Sequence, residues 1–203
     1  KSALPAETEA VIVPGGFSFG DYLRCGAIAR FSPIMEDLNS FSEKGGPVFG
    51  ICNGFQILCE AGLLPGALVR NNCIEFRCLN QCLVPEDSTE NFNKADLGEK
   101  IYLPIAHGEG NYRLDAGDLS ELEANGQVLL RYAGDPADGP GHGNPNGSVN
   151  DIAGVRNATG NVFGMMPHPE RVFRTSQLSW HPADWGEDAP WIRMFRNARR
   201  WFS

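Results

Sequence analysis

One pentapeptide restricts this chain more than any other: Gly50-Ile51-Cys52-Asn53-Gly54. It follows the apolar run Pro47-Val48-Phe49 directly and precedes the helix-forming stretch Phe55-Gln56-Ile57-Leu58-Cys59-Glu60. A short buried strand must therefore enter a helix through a turn with glycine two places before and two places after a cysteine. The glycines leave room for a sharp bend, so the side chain between them projects at the top of a sheet. The N-terminus of the following helix points at that side chain, and its partial positive charge favours thiolate over thiol. This is the nucleophile-elbow pattern with Cys in place of Ser. It marks Cys52 as a candidate to attack a carbonyl carbon, the opening step of acyl transfer.

The rest of the chain extends that pattern. Residues 9–13 read as a buried strand ended by the turn Pro14-Gly15-Gly16. Apolar residues recur at helical spacing over 21–44, interrupted at Pro33 and stopped by Gly45-Gly46. A strand at 48–51 and a helix at 53–61 complete a strand–helix–strand–helix order. Continuous apolar strands of this kind are those of a parallel sheet covered on both faces. Further on, Ile74, Phe76 and Cys78 alternate with Glu75, Arg77 and Leu79, which predicts a half-exposed antiparallel strand. Strands are also expected at 101–106, 128–132 and 162–166, a short helix near 119–124, and a loop over the Gly-, Pro- and Asn-rich stretch 134–147. An amphipathic helix over 188–202 carries Trp191, Met194, Phe195, Ala198 and Phe202 on one stripe. The expected fold is a three-layer α/β sandwich with a mostly parallel central sheet and some antiparallel strands. Neither an internal repeat nor a long linker divides residues 1–203, so one domain is expected.

Composition excludes several classes. A net charge of −8 argues against nucleic acid or an anionic membrane as partner. No apolar run approaches the roughly 20 residues that span a bilayer, and Lys1-Ser2-Ala3-Leu4-Pro5 has no apolar signal core. Six cysteines at irregular spacing suit a reducing cytoplasm rather than a disulfide framework. Cys73, Cys78 and Cys82 lack a Cys-x-x-Cys spacing, so no metal site is expected there.

A cysteine nucleophile needs a base and a group that orients the base. His168, in Met166-Pro167-His168-Pro169-Glu170, follows a predicted strand and so falls on the same sheet rim as the elbow. Flanking prolines restrict this segment to extended conformations, which would turn His168 and Glu170 to one side. Glu170 then accepts one imidazole N–H while the other nitrogen faces Cys52. Thiolate–imidazolium pairing would lower the Cys52 pKa to roughly 3.5–7.5. For the oxyanion, the backbone amide of Asn53 is one expected donor and that of Gly16, in the turn after the first strand, the other.

Taken together, these residues resemble the class I (triad) glutamine amidotransferases, which share a Gly-x-Cys-x-Gly elbow with Gln four residues on, an upstream Pro-Gly-Gly turn and a late His-Pro-Glu. More narrowly, the chain is similar to the glutaminase components of phosphoribosylformylglycinamidine synthases. The matching stretches run from Pro14 to Tyr22, Gly50 to Gln56, Ala106 to Gly110, Asn144 to Ser148 and Gly164 to Arg171. The resemblance implies a flavodoxin-like amidotransferase fold and a γ-glutamyl thioester on Cys52, formed from L-glutamine. His168 would move protons, and Gln56 with His107, Gly108 and Glu109 would hold the amino-acid end of the substrate. Ammonia would pass to a synthase subunit or domain that carries ATP and magnesium, this chain needing no cofactor of its own. The resemblance also implies that the family's first strand and helix lie outside this chain. The Trp180–Trp191 stretch is similar to the tail of single-chain synthases, whereas Asp21–Cys25 and Gly62–Gly66 resemble the stand-alone small subunit.

Other readings share these residues. Cys52 and His168 can be buried structural side chains, Glu170 a surface carboxylate, Gln56 a plain helix residue and Cys25 a packing residue. A related cysteine amidase or peptidase has the same elbow, and a non-catalytic regulatory subunit keeps the fold without the chemistry.

Overall fold

The computed structural model describes residues 3–88, 97–134, 143–178, 183–189 and 191–199. Within them the elements run β1 (Val11–Val13), α1 (Ile34–Glu43), β2 (Val48–Ile51), α2 (Asn53–Glu60), β3 (Ala67–Val69), β4 (Arg77–Pro85), β5 (Ile101–His107), β6 (Asn111–Arg113), α3 (Ala116–Ala124), β7 (Val128–Ala133), β8 (Ile152–Arg156), β9 (Val162–Met165) and α4 (Ile192–Arg199).

Seven strands form one sheet in the order β1-β2-β9-β8-β7-β4-β5, and β3 pairs with β6 apart from it. The two pairings around the elbow strand, β1 with β2 and β2 with β9, are parallel. The other four pairings are antiparallel. The expected α/β sandwich is thus present, with its parallel part at the elbow and an antiparallel share larger than the apolar pattern suggested.

Two apolar clusters cover the two faces of the sheet. On one, Met35 and Leu38 of α1, Phe55 and Leu58 of α2 and Leu122 of α3 pack together. On the other, Leu103, Ile105, Leu130 and Phe163 meet Trp191 and Met194 at α4. Each large side chain so buried contributes about 1.5–3 kcal/mol. Phe55, fully buried, stacks on Tyr112 with ring centroids 6.0 Å apart. Two glycines let α2 approach this closely. A Cβ at Gly54 would land on the Val13 carbonyl, and one at Gly164 would overlap the Phe55 ring.

Several local expectations are corrected. The helical spacing over 21–44 yields an α-helix only at Ile34–Glu43, preceded by 3-10 turns at Ser18–Asp21 and Ala29–Phe31. Asp21, Leu23 and Gly26 adopt φ of 56°, 69° and 83°, which ends any regular helix before it starts. Pro33 opens α1 rather than interrupting it, because its fixed φ of −53° is already helical. The alternating strand begins at Arg77, not near Ile74. Ile74 has φ 60° in a turn where its amide donates to the Asn71 carbonyl at 2.9 Å. Strands β3, β6 and β8 carry no apolar run long enough to announce them. The central part of the expected 134–147 loop, and both Phe202 and the Ala198 side chain on the expected helical stripe, lie outside the described residues.

Candidate active site

The elbow forms as the sequence requires. β2 ends at Ile51, the Cys52 amide donates to the Met165 carbonyl at 2.8 Å, and α2 begins at Asn53. Cys52 itself is bent to φ 52° and ψ −108°, outside the ordinary regions for a side-chain-bearing residue. Such strain persists only where the surroundings over-determine it, and it clusters at functional sites. Here the strand ladder on one side and the helix on the other hold it.

Parallel pairing brings the His168 segment to the elbow. Ile51 is level with Met165 across β2 and β9, so the chain leaving β9 runs beside the elbow. Three residues past that strand, the His168 amide donates to the Pro104 carbonyl of β5 at 2.8 Å. His168 Nδ1 lies 2.6 Å from Glu170 Oε1. The histidine side chain is 2 % exposed and the glutamate 40 %. Glu170 reaches it from a 3-10 turn, Pro169–Arg171, rather than from the expected extended segment, so the contact arises by a different route. Nε2 of His168 is buried and has no hydrogen-bond partner among the described residues. Gly15 keeps the space open: a Cβ there would sit 2.9 Å from His168 Cε1 and 3.4 Å from Cys52 Cβ.

The thiol rests in its neutral form. Burial pushes the Cys52 pKa up to about 11, against the helping pull of the Asn53 amide aimed at the sulfur and of the Arg171 charge. The thiol donates to the Ala106 carbonyl at 3.7 Å. The depressed thiol pKa expected from a preformed ion pair with His168 is therefore not found in this resting arrangement. Desolvation outweighs the helix terminus.

A polar relay runs from the elbow outward. The Asn53 carboxamide accepts the Ser18 amide at 3.2 Å and donates to Gln56 Oε1 at 2.9 Å. Gln56 Nε2 donates to the Glu109 carbonyl at 2.6 Å. Glu109 Oε2 accepts the Cys25 amide at 3.0 Å. Gly108 and Glu109 line a cavity of about 250 Å³ together with Phe17, Asp21, Arg70 and Phe76. Gly16 adjoins this wall, and nothing lies within 4 Å of where its Cβ would be. His107 is not among the lining residues. Its ring is buried against Gly110, whose missing Cβ makes the room. Desolvation lowers its pKa to about 4, so it is neutral.

Sequence reasoning did not single out Asp21, Arg70 or the carbonyls of Pro104 and Ala106. Asp21 lay inside a quoted motif without a role. Its left-handed backbone, which turns it toward Glu109 and Cys25, leaves no sequence signal. Burial and the Glu109 charge raise the Asp21 pKa, against the lowering hydrogen bond with Cys25. All six cysteines are unpaired. Among the described residues no group of three His, Cys, Asp or Glu stands close enough to hold a metal ion. No described helix is long and apolar enough to cross a membrane. Trp180 and His181 lie outside the described residues, as does His142.

Fold and site together define a class: an α/β protein with an elbow cysteine and a histidine–glutamate pair on the same sheet rim, the triad glutamine amidotransferases. The sequence family described as the CobB/CobQ-like glutamine amidotransferase domain matches residues 4–202, and the chain belongs to it. Among curated relatives, "Phosphoribosylformylglycinamidine synthase subunit PurQ" of Moorella thermoacetica is 57% identical over 164 residues, 80% of this chain and 70% of that one. The protein of the same description from Lacticaseibacillus paracasei is 59% identical over 165 residues, 81% of this chain and 68% of that one. The solved "Structure of PurLQS from Thermotoga maritima" contains a chain 38% identical with a TM-score of 0.78, covering 98% of this chain and 82% of that one.

Proposed function

We propose that this chain hydrolyses L-glutamine to glutamate and ammonia, and that the ammonia is handed to an ATP-dependent synthase that converts formylglycinamide ribonucleotide to its amidine in purine biosynthesis. The observation that carries the chemistry is the hydrogen-bonded His168–Glu170 pair beside an elbow cysteine. The identities near 57% to synthase subunits support the pathway.

In this mechanism Cys52 Sγ attacks the side-chain amide carbon of glutamine as its proton passes to His168 Nε2. A neutral resting thiol requires this transfer within the step, so His168 serves as general base first. The carbonyl oxygen becomes an oxyanion, held by the Asn53 amide and, on the turn opposite, by that of Gly16. Collapse breaks the C–N bond, His168 returns the proton to the leaving nitrogen, and ammonia departs from a γ-glutamyl thioester. Water then attacks that thioester, giving its proton to His168; collapse breaks the C–S bond, His168 returns the proton to the departing Cys52 sulfur, and glutamate is released. Glu170 holds the imidazole in the tautomer that keeps Nε2 free to accept. The amino-acid end of glutamine lies toward the cavity, where Asp21 and Glu109 favour its ammonium and Arg70 its carboxylate.

ATP and magnesium belong to the synthase partner, and the covalent steps above use only this chain's residues. The unpaired thiols favour a reducing compartment, and we place the reaction in the cytoplasm. A Cys52→Ala variant tests the reading. Glutamine-dependent synthesis with the partner should fall by at least about a thousandfold, while synthesis from added ammonia persists. Retained glutaminase activity in that variant would refute it.

A further inference from the structure

Asn71, 1 % exposed and two residues past β3, uses its polar atoms on two separate stretches of backbone. Its Nδ2 donates to the carbonyls of His107 and of Glu75, each at 2.9 Å. Its Oδ1 accepts the Gly110 amide at 2.9 Å, and its own amide donates to the Gly108 carbonyl at 2.9 Å. These stretches are two walls of the cavity that the Asn53–Gln56–Glu109 relay joins to the elbow: Gly108 and Glu109 on one, Ile74 to Phe76 on the other. Ile74, a β-branched residue at φ 60°, is bracketed by two bonds with Asn71: its amide donates to the Asn71 carbonyl, and Asn71 Nδ2 donates to the carbonyl of Glu75. A strained residue of this kind stays in place only while such bonds hold it.

We infer that Asn71 is a specificity-determining positioning residue, which sets the distance between the two cavity walls and so the seat of the amino-acid end of glutamine. The inference rests on the glutamine reading above. The carboxamide suits the task because one planar group carries donors for two carbonyls and an acceptor for an amide. Aspartate offers no donor, and serine does not span the gap. The Asn146 side chain backs one wall only, with Nδ2 donating to the Gly110 carbonyl at 2.8 Å, while its backbone carbonyl, which a substitution leaves in place, accepts the Asn72 amide at 2.9 Å. The Asn144–Ser148 motif thereby gains a role in shaping the site.

The test is protection of Cys52 from iodoacetamide by glutamine, read by mass spectrometry on the chain together with its synthase partner. Iodoacetamide needs the thiol but not the cavity. In Asn71→Asp and Asn71→Ser the glutamine concentration for half-protection should rise at least tenfold, with unprotected alkylation within twofold of wild type. KM should rise in step while kcat and its pH profile hold. Half-protection within twofold of wild type would overturn the inference, as would a matching change in unprotected alkylation. Asn146→Ala, which frees only one wall, should show a smaller rise of about threefold, and no rise there would also count against it. If glutamine fails to protect even the wild type, the glutamine reading falls and the inference with it. Protection in wild type without a shift in the variants overturns the inference alone.

Discussion

Pro104 and His168 are joined by a backbone hydrogen bond of 2.8 Å that ties the loop leaving β9 to strand β5. Two residues on from Pro104, the Ala106 carbonyl takes the Cys52 thiol. One strand therefore sets the height of both His168 and Cys52. The proposed triad is arranged by the sheet rather than by the local turn.

The His168–Glu170 contact carries the next expectation. Glu170 is partly open to water, and water competes with it for the imidazole. Glu170→Gln should lower kcat by about tenfold to a hundredfold, less than the loss at a fully buried orienting carboxylate. KM for glutamine should change little. A steady-state comparison of the two enzymes checks this, and an unchanged kcat would remove Glu170 from the triad.

Buried, neutral His107 makes the fold sensitive to acid. Its pKa falls from 6.5 to about 4 on folding, so below 6.5 the unfolded chain binds the proton that the folded one refuses. The stabilisation is complete above the unfolded value and is lost as pH falls toward about 4, by about 3 kcal/mol in all. Urea midpoints between pH 7 and 4 measure it. In His107→Gln the slope over this window should be flatter, whatever the variant's stability at pH 7.

Much of this was legible in the sequence and some was not. Gly50, Cys52 and Gly54 announce the elbow because a tight bend leaves few residue choices. His168 and Glu170 stand out because of the prolines beside them. The 21–31 segment misled, since apolar residues at helical spacing hid the positive φ values of Asp21, Leu23 and Gly26. Strand β8 was silent because Ile152-Ala153-Gly154-Val155 has neither alternation nor length. Asn71 carries no signal in the sequence. Its partners lie 36 and 39 residues away, at His107 and Gly110, a distance no local pattern spans.

Glycine packing gives a pair of opposite effects. Gly54→Ala would push a methyl into the Val13 carbonyl and part α2 from the sheet, costing about 3 kcal/mol or more or preventing soluble expression. Gly117→Ala, in α3 with nothing within 4 Å of the added methyl, should raise stability by up to about 1 kcal/mol. Thermal unfolding of both variants beside wild type measures the contrast. A harmless Gly54→Ala would mean that the elbow does not need this close approach.

The identity of the nucleophile is tested most directly by treating the chain, with its synthase partner, with a chloroketone analogue of glutamine and mapping the adduct by mass spectrometry. A single adduct on Cys52, suppressed by excess glutamine, is expected. Modification at Cys25 or Cys59 instead, or an adduct on Cys52 that glutamine does not suppress, would contradict it.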